Sequence, residues 1–215
     1  MTNANADDAD NATDGAVVRK SKAKPGERRM AILQAFAAML EQPMAERVTT
    51  AALAKRLDVS EAALYRQFAS KAQMLDALIT FTEDSLLGLA GKVGEPGAVG
   101  LDGREACRKV VLLSLQFAQA NPGMVRVLVG DALVFEQARL TERVNLLFDK
   151  LESVLRAHWR HWADQSGDTT PTASAQSRAD LLVSFLRGRL HAFVRSDWQQ
   201  APVAGADAHL AVLLR

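Results

Sequence analysis

A chain of 215 residues, 48% hydrophobic, 24% charged and only 6% aromatic, has the composition of an ordinary globular protein and favours helices over sheets. Its net charge of +1 hides an asymmetry, since residues 1–18 carry −4, residues 19–71 carry +6 and the remainder carries −1. One cysteine (Cys107), no apolar run long enough to span a membrane and a polar start exclude disulfide-framed, zinc-cluster, membrane-spanning and secreted classes, so a cytoplasmic protein is expected.

In chain order, residues 1–24 are acidic and then basic, have little to bury, and are expected to form a disordered tail. A helix is expected over Glu27–Glu41, where Ile32, Leu33, Phe36, Met39 and Leu40 recur at helical spacing and Pro43 follows the stop. Thr49 or Thr50 caps a short helix over Ala51–Leu57, and Ser60 caps the next, Glu61–Phe68. Ser70 with Gln73 forms a capping box opening Lys71–Ala90. Gly91–Gly103, with five glycines and a proline, reads as a loop. A helix over Arg104–Ala120 is expected to end at Asn121-Pro122-Gly123, and an amphipathic helix, interrupted or continuous, to run from about Met124 to Trp162. Asp164–Ser177 has the composition of a mobile linker. Helices over Arg178–Gln200 and Ala206–Leu214 close the chain, with no strand pattern and no internal repeat. The expected architecture is all-α. A three-helix head over residues 25–71 extends into helix 71–90, and a helical body of about six helices fills residues 72–215.

Two short helices joined by a tight turn, with apolar inner faces Leu53, Ala54 and Leu57 on one and Leu64 and Phe68 on the other, define a helix-turn-helix. Val59 is expected to plug its corner. Asp58 occupies the turn position where a positive φ is often wanted, which Asp tolerates better than most residues. On the second helix Glu61, Ala62, Tyr65 and Arg66 fall within one arc of about 140°, free to meet base edges while Leu64 and Phe68 hold the core. Ala62 permits close approach and contact with a thymine methyl; Arg66 reaches guanine or phosphate; Tyr65 suits a phosphate oxygen. Thr49, Thr50, Ser60 and Lys71 lie at helix N-termini, where N–H groups and the dipole favour a phosphate. Arg47 and the Arg19–Arg29 cluster add sequence-independent attraction.

From Val48-Thr-Thr through Leu64-Tyr-Arg-Gln-Phe68 to Ser70-Lys71, the chain resembles the DNA-binding domain of TetR-family regulators. Further segments resemble the nucleoid occlusion factors of that family: Ser60-Glu-Ala-Ala-Leu-Tyr-Arg, Phe81-Thr-Glu-Asp-Ser-Leu, Asn121-Pro-Gly, Ala132-Leu-Val-Phe-Glu-Gln-Ala-Arg-Leu and Phe193-Val-Arg-Ser. The resemblance implies a homodimer, with room for a dimer of dimers, on palindromic chromosomal DNA. It implies association with the nucleoid and engagement of the division protein FtsZ, so that the septum does not close over the chromosome. It further implies an FtsZ-facing surface at Phe81, Leu113 and Asn121. The dimer interface that it implies holds Leu182, Phe185, Gly188, Arg189 and Phe193 together with the helix following Arg156. A ligand-responsive repressor of the same family is the alternative. His158 and His161 lack the further ligands a metal site needs, and no nucleophile elbow, phosphate loop or dinucleotide fingerprint is present. The chain is expected to be no enzyme and to hold no metal or cofactor.

Overall fold

A computed structural model describes residues 25–42, 48–134 and 136–215, and the expectations for the 1–24 tail and for Arg47 lie outside the described residues. Among the described residues nine α-helices follow one another, with no strand. They are α1 (Pro25–Leu40), α2 (Thr50–Arg56), α3 (Glu61–Tyr65), α4 (Lys71–Gly91) and α5 (Gly103–Ala120). After them come α6 (Pro122–Leu128), a single 3-10 turn at Asp131–Leu133, α7 (Ala138–Ser166), α8 (Pro171–Arg195) and α9 (Ala206–Leu213).

The helix starts follow the expected side chains. Thr49 Oγ1 accepts from Ala52 N at 3.1 Å, Ser60 Oγ from Ala63 N at 3.2 Å, and Ser70 Oγ from Gln73 N at 3.2 Å. Gln73 Oε1 reaches back to accept from Ala69 N at 2.6 Å. The three hydroxyl bonds serve N–H groups of the first turn, and the Gln73 bond serves that of the residue before the cap. Asp102 caps α5 by accepting from Arg104 N at 2.7 Å.

A continuous apolar core joins the elements. Ile32, Phe36, Leu53, Leu64 and Phe68 pack with Met74, Leu75 and Leu78 of α4, which carries on into the body between α5 and α7. Leu115, Leu140, Leu147, Trp159 and Leu182 fill the body. Charge ties α4 to α7 across this contact. Glu83, only 7% exposed, pairs with Lys150 and lies 3.5 Å from Arg143, which also meets Asp76 at 3.5 Å.

Several boundaries depart from the sequence-based expectation. Residues 164–177 are no linker: α7 runs to Ser166, Gly167 stops it at φ 78°, and α8 already begins at Pro171. The polar residues there are the exposed side of two packed helices; inward lie Ala163, Ala175 and Ser174, whose Oγ accepts from Trp159 Nε1 at 3.2 Å. Asn121-Pro122-Gly123 both ends α5 and opens α6, with Pro122 at a first-turn position where no N–H is required. The long helix expected from Met124 is α6, a 3-10 turn and α7, separated at Gly130, whose φ is 89°. Helix α3 stops at Tyr65 rather than Phe68. The chain tightens there, Gln67 N donating to Leu64 O at 2.8 Å, and Arg29 Nη1 donates to Gln67 O at 2.6 Å, holding the segment past the helix end.

Candidate nucleic-acid interface

The head presents one polar strip. Glu61, Ala62, Tyr65 and Arg66 of the α3 region are all exposed, Tyr65 at 46%, while Leu64 and Phe68 are fully buried beneath them. Helix α2 braces α3 through Leu53 and Ala54, and Asp58 adopts φ 53° at the turn between them. Leu57 is partly buried, as an inner-face residue should be. Val59 is not the corner plug expected: it is 39% exposed and, with Leu57, Leu64 and Ile32, lines a hollow left open between α1 and the turn.

A small hydrogen-bond network organises the strip. Thr50 Oγ1 donates to Glu61 Oε2 at 2.9 Å and lies 3.2 Å from the Tyr65 hydroxyl. The first residue of α2 thus holds two side chains of the α3 region, restricting their rotamers before any ligand arrives. Lys55, Arg56 and Arg66 are exposed and form no ion pair among the described residues, leaving cations available to phosphates. Lys71 differs: its Nζ lies 2.9 Å from Glu136 Oε1, with the two side chains 20% and 11% exposed. A residue expected at a phosphate is therefore paired with a body carboxylate.

Arg29 contributes what spacing alone did not indicate. Besides its bond to Gln67 O, its guanidinium stacks 3.9 Å from the centroid of the Phe68 ring, fixing the end of the recognition segment against α1. The basic cluster around it was legible, but its role as a brace depends on the fold.

The other sequence-derived residues lie on the body. Phe81 is 38% exposed on α4 and Leu113 half-buried on the adjoining α5. Asn121 sits at the α5–α6 junction, its Nδ2 donating to Phe117 O at 2.7 Å. Of the expected dimer residues, Leu182 and Phe193 are buried within the chain itself and have no surface left for a second copy. Phe185 is half-buried and lies edge-on to the His209 ring at 5.9 Å. Arg189 donates to Pro202 O at 2.9 Å and to Ala201 O at 3.3 Å, holding down the segment before α9. Gly188 is exposed with open space around it.

Burial holds the His158 imidazole below its ordinary value, with Glu95 opposing the effect and His161 adding to it. Desolvation pushes the Cys107 thiol up to about 12. Among the described residues no group of three or more His, Cys, Asp or Glu side chains could hold a metal ion, and no helix is long and apolar enough to cross a membrane.

This geometry has known counterparts. Residues 32–78 match the family model described as bacterial regulatory proteins, tetR family, and residues 105–215 match the SlmA-like tetracyclin repressor-like C-terminal domain. Solved neighbours share the fold. The TetR family transcriptional regulator PfmR from Thermus thermophilus has a TM-score of 0.68 at 22% identity, covering 86% of this chain and 97% of that one. The regulator FadR from Bacillus subtilis, in complex with stearoyl-CoA, has a TM-score of 0.66 at 15% identity over 86% of this chain and 97% of its own. The chain belongs to the TetR family of DNA-binding bacterial regulators. Within it, the nucleoid occlusion factor SlmA of Vibrio cholerae serotype O1 is 43% identical over 187 residues, covering 86% of this chain and 93% of that protein. SlmA of Cronobacter sakazakii is 42% identical over 187 residues, covering 86% and 92%. The chain is a TetR-family protein of the SlmA type.

Proposed function

We propose that this protein is a nucleoid occlusion factor: a homodimer that binds palindromic chromosomal sites and, while bound, antagonises FtsZ assembly so that no septum forms over the nucleoid. The observation that carries this reading is the extent of the likeness to SlmA, which runs through the body as well as the head. A general TetR-type repressor would need to resemble it only in the head.

In this reading residues 25–71 read DNA and residues 72–215 pair the subunits and engage the partner. Glu61, Ala62, Tyr65 and Arg66 enter the major groove, and Thr49, Thr50, Ser60 and Lys71 meet the flanking backbone, with Arg47 beside them. Two such heads, placed about 34 Å apart by a twofold, read the halves of a palindrome. The outer side of α8 is the pairing face, centred on Gly188 with Ser184 and the half-exposed Leu181, since Leu182 and Phe193 are spent inside the chain. Phe81, Leu113 and Asn121 mark the FtsZ-facing side. The ligand-responsive alternative has less in its favour. The cavity between α6, α7 and α8, lined by Leu133, Phe148 and Arg187 among others, holds about 140 Å³, below the roughly 300–1,000 Å³ usual for small-molecule sites. The larger hollow along α7, about 540 Å³, is an open surface one lined by Arg156, Arg160 and Asp164 rather than by an apolar wall.

The test is co-sedimentation with FtsZ polymers in the presence and absence of palindromic DNA. Association strengthened by the DNA is expected; no association under either condition would overturn the reading.

A further inference from the structure

Helix α1 touches both ends of the machinery. Near its N-terminus Arg29 grips the recognition segment, donating to Gln67 O and stacking on Phe68. Its C-terminal end is held by the body at two points. At the first, Gly123 of α6 approaches so closely that a Cβ there would lie 2.1 Å from Ala37 O. At the second, Trp198 Nε1 donates to Glu41 O at 2.7 Å, joining residues 157 apart in sequence.

Trp198 is itself tightly placed. Helix α8 ends in a left-handed turn in which Trp198 N donates to Phe193 O and Asp197 N to Val194 O, both at 3.1 Å. Two successive non-glycine residues, Asp197 and Trp198, take φ of 47° and 67°. Such a conformation costs free energy for L side chains and persists only where the surroundings enforce it. Here the indole packs edge-on to Phe193 at 4.9 Å, with the Arg126 guanidinium 5.4 Å over its ring. The strained turn delivers the indole N–H to the carbonyl just past α1. At 16 residues α1 is a rod of about 24 Å, stiff enough to carry that anchorage to the recognition segment.

We infer that Trp198 is a positioning residue for DNA recognition: its bond to Glu41 O locks the head onto the body and so sets the separation of the two recognition helices in a dimer. The inference rests on the palindrome-binding reading above. It makes the end of α8, which touches no DNA, a determinant of which half-site spacing the protein accepts.

The experiment measures affinity for palindromes whose half-sites are moved together or apart by one base pair, which shifts and rotates one half relative to the other. Wild-type protein is expected to lose about tenfold or more per base pair. Trp198→Phe keeps a ring against Phe193 and Arg126, so helical content is retained by circular dichroism, but it removes the donor. Its spacing penalty is expected to shrink to about threefold or less. A purely structural role would lower the melting temperature and leave the penalty intact, and that result overturns the inference. Asp197→Gly relieves the strained φ while keeping the indole and is expected to retain the wild-type penalty; its losing the penalty would assign the effect to the turn and equally overturn the indole's role. Wild-type indifference to spacing would instead overturn the palindrome-binding reading, and the inference with it.

Discussion

At the scale of single residues, the head is a set of side chains already engaged before DNA arrives. Thr50 holds Glu61 and Tyr65, and Glu136 holds Lys71. The Lys71–Glu136 pair competes directly with a phosphate for the ammonium group. Glu136→Gln is therefore expected to raise DNA affinity severalfold on every sequence, measured by fluorescence anisotropy. Lys71→Ala should lower it uniformly and reduce the slope of log affinity against log salt by about 1. Unchanged affinity in both variants would remove Lys71 from the interface. His158 gives a pH dependence. Its folded value lies below the ordinary 6.5, so the unfolded chain binds the proton more readily. Stability is thus fully present above about pH 6.5 and lost as pH falls through the lower folded value. The melting temperature should drop on acidification through that window, and His158→Phe should flatten the drop.

Elements add constraints that no residue carries alone. Helices α1 and α6 meet backbone to backbone at Gly123 and Ala37, so the Cβ of Gly123→Ala must push them apart. A loss of about 1–3 kcal/mol by thermal denaturation is expected, together with weaker DNA binding because α1 carries the head. The caps act more locally, each closing one open N–H of its own helix. These two kinds of constraint differ in how they show in sequence. Thr49, Ser60 and Ser70 announced themselves, because a cap and the N–H it serves lie within three residues. Gly123 looked like part of a helix stop, since its partner Ala37 is remote along the chain. The start of α8 was misread for a related reason: Thr170–Ser177 is polar on the outside and buries only small residues such as Ala175, which carries almost no periodic signal.

For the whole molecule, charge and pairing dominate. Because Lys55, Arg56 and Arg66 are exposed and form no ion pair among the described residues, affinity should fall steeply between low and physiological salt, by about 10³–10⁵ if 6–10 phosphates are contacted by the dimer. A flat salt dependence would show that the head does not neutralise phosphates. Pairing through α8 predicts that Gly188→Leu, which fills the open space at the centre of the proposed face, shifts the protein towards monomer in light scattering while leaving its helical content intact.

By itself the sequence determined the class of fold, the helix-turn-helix and its exposed strip. All of these depend on periodicities and caps that act over a few residues, where chain connectivity already brings the groups together. Only the tertiary structure decided which candidates are spent inside the chain, such as Leu182 and Phe193, and which cations are already paired, such as Lys71. It also decided how the head is tied to the body through Arg29, Gly123 and Trp198. Each of those facts is a meeting of groups separated by tens of residues or more, and such meetings are set by the packing of whole helices rather than by any local pattern.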